Sequence, residues 1–478
     1  MAMKLTLLAL AALPAVTAET ILGVYIFHRH GDRTPKALAP ANLTSLGQEQ
    51  VYQSGAYYRS RYVASDASSP IYRLSSDVAV ANQMTVTSQT DTVLQNSAQA
   101  FMQGVYPPVG TVSVEKLANG SSIEGSLNGY QYIPINAVAS ASSSSNAENN
   151  EWLQGGSGCG NAVVSSNNYF SSSEYLSTLK GTQDFYQGLL PVINSTFTSS
   201  QASFKNGYTI YDYINVATIH NLTIPSEDLL TNETLHELFW LANAHEWGLA
   251  YNETDPIRAV AGATLAGQIV TQLNATLTGK SKQPLGVQFG AYASFLSFFG
   301  LAQLPAVSDN FRGIVDYASS MAFELVDTSD AAVTASSYPA AADVSVRFLF
   351  ANGSAAAHAP VAYPLFGQSE TLLPWTTFVA EMGKFAIADT AAWCTACGNS
   401  TGVCAQFASG SDSGSGSASA TSTSGNGISL PVAGVIGALV TLVVILGVEA
   451  LVYFVAGLKL VKKSALAASS GPTSELKA

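Results

Sequence analysis

Residues 21–27 (Ile-Leu-Gly-Val-Tyr-Ile-Phe) form a short, continuous apolar run rich in strand formers, followed by polar residues and Pro35. That pattern predicts a buried strand emptying into a loop. Residues 46–62 fit a helix, and residues 91–102 another, stopped by Gly104 and Pro107-Pro108. Residues 139–150 are low-complexity Ala, Ser and Asn and predict a surface loop. Helical signals fill the stretch 169–277, at 174–189, 237–250 and 256–277. Strand-like segments return near 285–289, 321–326 and 344–350. Strands at both ends with helices between predict an α/β core carrying an inserted, mainly helical lobe at about residues 116–284.

Two further apolar stretches have a different meaning. Residues 1–18 combine Lys4, an apolar run at 5–16 broken by Pro14, and the small-residue site Val16-Thr17-Ala18. That order predicts a secretory signal peptide, with the mature chain starting near Glu19. The run 430–458 is long enough to cross a bilayer, which needs about 20 apolar residues. Lys459, Lys462 and Lys463 follow it, which predicts a type I span at the plasma membrane or cell surface. Glu449 lies toward its inner boundary, where it can sit at headgroup level. The polar tail 459–478 favours a true span over a lipid-anchor signal. Residues 408–427 are nearly all Ser, Gly, Thr and Ala and predict a flexible stalk. The folded ectodomain is therefore expected at 19–407.

Charge sharpens this division. Hydrophobic residues make up 47% of the 478, but charged residues only 11%, with a net charge of −12. A soluble domain is about a quarter charged. The acidic balance excludes a nucleic-acid binder, and the hydrophobic content excludes disorder throughout. Outside the signal and the segments after Phe407, fifteen basic residues face twenty-nine acidic ones, so the acidity belongs to the predicted ectodomain. Hydroxyls, amides and sugar are left to solubilise it. Sequons at Asn42, Asn119, Asn194, Asn221, Asn232, Asn252, Asn274, Asn352 and Asn399 suit a glycosylated surface. The four cysteines, Cys159, Cys394, Cys397 and Cys404, suit disulfides in an exported chain better than a zinc site, since Cys159 is distant from the other three. Spacing leaves their pairing open.

Candidate chemistry sits just past the first strand, at Arg29-His30-Gly31-Asp32-Arg33-Thr34-Pro35. Ligands of open α/β sheets bind outside the carboxyl ends of strands. Guanidinium forks match phosphate oxygens, and an imidazole can attack phosphorus to form a phosphohistidine. Gly31 permits close backbone approach to an anion, and Pro35 stiffens the loop.

This segment resembles the Arg-His-Gly-x-Arg-x-Pro signature of the histidine acid phosphatases, the two-domain branch of the histidine phosphatase superfamily, and most closely its fungal membrane-anchored members. Residues Leu43-Thr44-x-x-Gly47-x-x-Gln50 and Arg59-x-Arg61-Tyr62 look like the family's first helix. Ser97-Ala98-Gln99-Ala100-Phe101, with Gly104 and Tyr106-Pro107-Pro108, looks like its second, and 317–325 like a late core strand. The resemblance implies a phosphoglycerate-mutase-like α/β core, phosphomonoester hydrolysis and no cofactor. His30 becomes the nucleophile and Arg29 and Arg33 the phosphate clamps. The family also implies a further clamp arginine near Val93, yet no Arg or Lys occurs from Leu74 to Glu115. It implies a late His-Asp pair where Tyr292 and Ala293 stand, and residues 284–308 contain no His, Asp or Glu. A lost general acid typically costs 10²–10⁴-fold in rate.

Competing interpretations of these residues are specific. His28 and His30 with Asp32 would make a metal site, but no partner cluster follows downstream. His28 alone reads as packed beside the site. His245-Glu246 would supply a substitute acid, but beside Trp247 and Leu249 it reads as a helix-surface pair. His220, His236 and His358 show no constellation. Two functions follow. One is a cell-surface acid phosphatase acting weakly through phospho-His30 on a small phosphorylated substrate. The other is a pseudophosphatase that binds phosphate-bearing ligands without turnover.

Overall fold

The computed structural model describes residues 19–138, 158–329 and 331–407. The predicted signal, the low-complexity loop, the stalk, the membrane span and the tail lie outside the described residues. Among the described residues no helix is long and apolar enough to cross a membrane.

The apolar run after Glu19 is strand β1 (Thr20–Arg29), with Ile21 onward buried. Strands β2 (Met84–Gln89), β5 (Asn136–Val138) and β6 (Leu285–Gly290) join it in a parallel half-sheet. Strands β7 (Ser320–Asp327), β8 (Val344–Ala351), β9 (Val361–Ala362) and β10 (Leu372–Pro374) make the antiparallel half. The sheet order is β10-β8-β7-β1-β6-β2-β5, with β9 on β8. A separate hairpin, β3 (Glu115–Lys116) and β4 (Ser122–Ile123), lies outside it. Parallel strands covered on both faces need no polar alternation, which is why β1 reads as one apolar block.

Helices α1 (Ser45–Tyr58) and α2 (Thr92–Val105) cover one face. Val51, Tyr58, Leu94, Ala98 and Phe101 pack there on Val24, Ile26, Val86 and Val287. Thr44 and Asp91 cap these helices by accepting from Gly47 N and Leu94 N. The expected first helix runs on as a single π turn, Arg59–Val63. That turn brings Arg61 and Tyr62 onto fully buried Glu324 of β7, at 2.7 and 2.6 Å, with Arg347 at 3.0 Å on its other oxygen. The opposite face is covered by the helices Val260–Thr278, Tyr292–Leu301 and Trp375–Met382, through Leu265, Ile269, Phe295, Phe298 and Phe378.

Between β5 and β6 the described chain is helical, with its own core of Tyr169, Tyr186, Ile193, Phe204, Ile214 and Leu238. The single helix expected at 174–189 is two, Ser173–Gly181 and Gln183–Gly188. Thr182 separates them: its backbone is non-helical and its hydroxyl bonds back to Thr178 O at 2.8 Å. The cysteines pair as Cys159–Cys397 and Cys394–Cys404, tying the start of this helical stretch to the last described helix. None of the nine sequon asparagines is buried.

Candidate active site

Strand β1 ends at Arg29, level with Gly290 of β6, and the signature loop leaves the sheet there. Backbone bonds fasten it to the chain before β7: Arg29 N donates to Ser319 O at 2.8 Å, and Ala318 N to His30 O at 2.9 Å. Ser97 Oγ of α2 accepts from Gly31 N at 3.2 Å, and Gln50 Oε1 of α1 from Asp32 N at 2.9 Å. A Cβ on Gly31 would sit 2.1 Å from Gly47 O, and one on Gly47 would sit 2.0 Å from Asp32 O. The start of α1 therefore lies directly against the loop, and neither position tolerates a side chain. The residues that carry the family resemblance, Gly47, Gln50 and Ser97, are the loop's supports.

His30 is 1% exposed and its Nδ1 lies 2.8 Å from Gly31 O. A carbonyl only accepts, so Nδ1 carries the hydrogen and the neutral ring keeps its lone pair on Nε2. Burial, with the charges of Arg29, Arg33 and Lys36, holds this imidazole well below its ordinary range, against the opposing Gly31 bond. A protonated imidazole is no nucleophile, so the site preserves the reactive form in acid.

The cations differ in how they are engaged. Arg29 donates to Val315 O and lies over the rings of Tyr317, at 4.5 Å, and Tyr292, at 5.4 Å. Arg33 is fully buried, and its fork binds both oxygens of Asp212, at 3.1 and 2.8 Å, with Tyr208 Oη at 3.2 Å. Burial opposes its charge, but Tyr208, Asp212 and Tyr317 together hold the guanidinium above its ordinary range. Asp212 also accepts from Lys36 N at 2.8 Å. Lys36 Nζ lies 5.8 Å from the ring centres of both Tyr208 and Tyr292. The Nε groups of Arg29 and Arg33 are buried without a hydrogen-bond partner among the described residues. Two unsatisfied donors beside one buried imidazole suit an anion.

The positions where the family pattern lapses are close by or accounted for. Val93 is fully buried in the first turn of α2 and presents no charge. Tyr292 opens the helix after β6, beside the end of β1, and Ala293 is half-buried. Tyr292 Oη donates to Glu246 Oε2 at 2.6 Å, and His245 Nδ1 lies 2.7 Å from Glu246 Oε1. This corrects the expectation of a helix-surface pair. The His245 and Glu246 side chains are only 7% and 13% exposed, because the helix Asn232–Ala250 is clasped between the lobe core and the helix Tyr292–Leu301. Burial first, then Glu246 and Tyr208, push the Tyr292 phenol well above its usual range.

Among the remaining histidines, His220 overturns the expectation that it belongs to no constellation. Its Nε2 lies 2.6 Å from Asp32 Oδ1, which also accepts from Thr44 Oγ1 at 2.5 Å. His236 is exposed and accepts from Trp240 Nε1. His28 packs beside the site, its Nδ1 donating to Arg29 O at 2.6 Å and its Nε2 accepting from Ser54 Oγ at 2.8 Å. Burial pushes it down to about 4. Among the described residues no group of three or more His, Cys, Asp or Glu is arranged to hold a metal.

Asp212, Tyr208 and Tyr317 escaped the sequence reading. The available signal was an acid within the apolar and aromatic stretch Tyr-Asp-Tyr-Ile at 211–214. A buried carboxylate there requires a cation.

The family model described as histidine phosphatase superfamily (branch 2) matches residues 38–350. The chain belongs to that family. Among solved structures, this histidine phosphatase is similar to the phytase of Citrobacter braakii at 14% identity, covering 79% of this chain and 99% of that one, with a TM-score of 0.50. The apo phytase of Hafnia alvei gives 12% identity, 81% and 99% coverage and a TM-score of 0.51. The phytase of Klebsiella sp. ASR1 gives 11%, 78% and 99%, and 0.50. At these identities the likeness is one of fold. No curated protein matches by sequence. As a histidine phosphatase the chain holds Arg29, His30 and Arg33 together at the end of β1, with Tyr292 and Tyr317 against the arginines and Asp212 on Arg33.

Proposed function

We propose that this protein hydrolyses phosphomonoesters through a phosphohistidine at His30, at the cell surface and at acid pH. The supporting observation is the state of His30: a buried imidazole with Nδ1–H bonded to Gly31 O, neutral well into acid, and bracketed by two arginines. Nε2 attacks phosphorus, the bond to the leaving oxygen breaks, and water then cleaves the N–P bond. Arg29 stabilises the charge on the transferring phosphoryl group, and Arg33 shares that task to the extent that phosphate displaces Asp212. Turnover is expected to be weak on alkyl phosphates, since neither a His-Asp pair nor a cation at Val93 is present. Aryl phosphates, whose leaving groups need no proton, are the better substrates.

A second reading, phosphate binding without turnover, is favoured by the Arg33–Asp212 pair, which neutralises one clamp. The leading apolar run, the run at 430–458, the two disulfides and the exposed sequons support a glycosylated type I membrane protein. Purified protein assayed at about pH 4–6 with an aryl phosphate tests the enzyme. Hydrolysis lost in His30→Ala supports it; equal turnover in both proteins removes it. Inactive protein that phosphate still stabilises thermally supports the binding reading instead.

A further inference from the structure

The sequence is missing an acid at the end of β6, and the fold supplies one from elsewhere. Tyr292 is the second residue past β6, whose register with β1 sets Phe289 against His28 and Gly290 against Arg29. The two strand ends therefore carry Tyr292 and His30 to the same edge of the sheet. There the Tyr292 ring faces the Arg29 guanidinium at 5.4 Å and Lys36 Nζ at 5.8 Å, and packs on Tyr208 at 4.9 Å. Tyr208 in turn holds Arg33. Behind the phenol, 2.6 Å from its oxygen, is Glu246, and behind Glu246 is His245. Buried His245 Nε2 has no partner among the described residues. A carboxylate bound to a phenol and an imidazole, next to Ala293, where the resemblance implies the general acid, is more than packing requires.

We propose that Tyr292 donates the proton to the leaving oxygen and that Glu246 resupplies it, forming a relay in place of the His-Asp pair. This rests on the phospho-His30 reading above. In the structure Tyr292 Oη donates to Glu246 Oε2 at 2.6 Å; the proposed cycle starts from the reverse arrangement, with the proton on Glu246 donated to Tyr292 Oη and the phenol hydrogen turned toward substrate. As Nε2 of His30 forms its bond to phosphorus, the leaving oxygen takes the Tyr292 proton and Tyr292 takes that of Glu246. Glu246 is left as a carboxylate beside His245. In the second half-reaction water attacks phospho-His30, and its proton returns through Tyr292 to Glu246. Atoms and charge then balance over the cycle.

The groups facing Glu246 are His245 on its own helix, Tyr292 and Tyr208 from the helices Tyr292–Leu301 and Gly207–His220, and Tyr169 from Gly160–Tyr169. Arg29 and Lys36 lie near the Tyr292 ring.

The test compares purified full-length wild type, Tyr292→Phe, Glu246→Gln and His30→Ala on p-nitrophenyl phosphate and glycerol 2-phosphate. Glu246→Gln keeps a donor toward Tyr292 Oη but has no proton to give, so a purely structural role survives it. Both relay variants are expected to lose roughly 10²-fold in kcat on glycerol 2-phosphate, to keep KM within a few-fold, and to lose little on p-nitrophenyl phosphate. Relay variants that lose both substrates equally, or neither, overturn the relay while wild-type turnover through His30 stands. Wild-type turnover that survives His30→Ala overturns the underlying function instead. Retained p-nitrophenyl phosphate turnover reports that each variant has folded.

Discussion

Two neighbouring parallel strands, β1 and β6, end side by side at the candidate site, and the residues that follow them differ in kind. Past β1 the chain keeps Arg29, His30, Arg33 and Lys36, with supports from Ser97, Gln50 and Gly47. Past β6 it reads Ala291-Tyr292-Ala293-Ser294-Phe295, with no formal charge at all. The first end holds the imidazole proposed as nucleophile, whose ring and backbone are set together by contiguous residues. In the proposed relay the second end needs only a proton, which a carboxylate on a distant helix can deliver. Glu246 and Asp212 come from the helical stretch between β5 and β6, so its packing, more than the strand, determines that side of the candidate site.

That asymmetry can be broken most severely at His30. His30→Ala should abolish hydrolysis of p-nitrophenyl phosphate, and no rescue is expected from His28, whose ring is locked between Arg29 O and Ser54.

Asp212→Asn strikes the borrowed side. Removing one partner of a buried ion pair costs about 3–5 kcal/mol, and urea unfolding should show a loss of that order. Freed of its partner, Arg33 should bind phosphate more tightly, so the phosphate-dependent rise in Tm should exceed that of the wild type. An equal or smaller rise would mean that Arg33 is purely structural.

Arg29→Gln removes the cation closest to the rings of Tyr317 and Tyr292. A lost electrostatic donor of this kind costs about 10²–10³-fold in kcat, read on the same aryl ester, with Tm little changed.

The smallest effect concerns His28. Its folded value is about 4 and its ordinary value 6.5. Between these the unfolded chain binds more protons, so stability falls as pH drops from about 6.5 to about 4 and levels off below. For this fully buried ring the loss is about 3 kcal/mol. His30 shifts with the same sign, so the comparison is between slopes. Urea unfolding of His28→Asn at the two pH values should show a loss smaller than the wild type's by about that amount. An unchanged slope would contradict the assignment.

The contrast between the strand ends also explains what the sequence made legible. Contiguous chemistry could be read directly: the apolar block of β1, the Arg-His-Gly-Asp-Arg loop after it, and the helices α1 and α2 that support it. The resemblance also implied departures from the family pattern at Val93, Tyr292 and Ala293. Partnerships made by tertiary packing could not. Asp32 meets His220, Arg33 meets Asp212, and Tyr292 meets Glu246 across 188, 179 and 46 residues. His245 and Glu246 looked like surface residues because a helix buried on two sides has no single apolar stripe. Cysteine spacing left three pairings open, and the tertiary fold, which gathers all four cysteines in one small core, pairs Cys159 with Cys397 and Cys394 with Cys404.

The central claim is that His30 carries the phosphoryl group. Single-turnover mixing of the full-length protein with p-nitrophenyl phosphate, quenched under conditions that preserve phosphohistidine and followed by peptide mass analysis, addresses it directly. Phosphate on the peptide containing His30, appearing with the nitrophenol burst and absent from His30→Ala, is the expected result. Nitrophenol release with no phosphorylated histidine, or at an equal rate in His30→Ala, would contradict it.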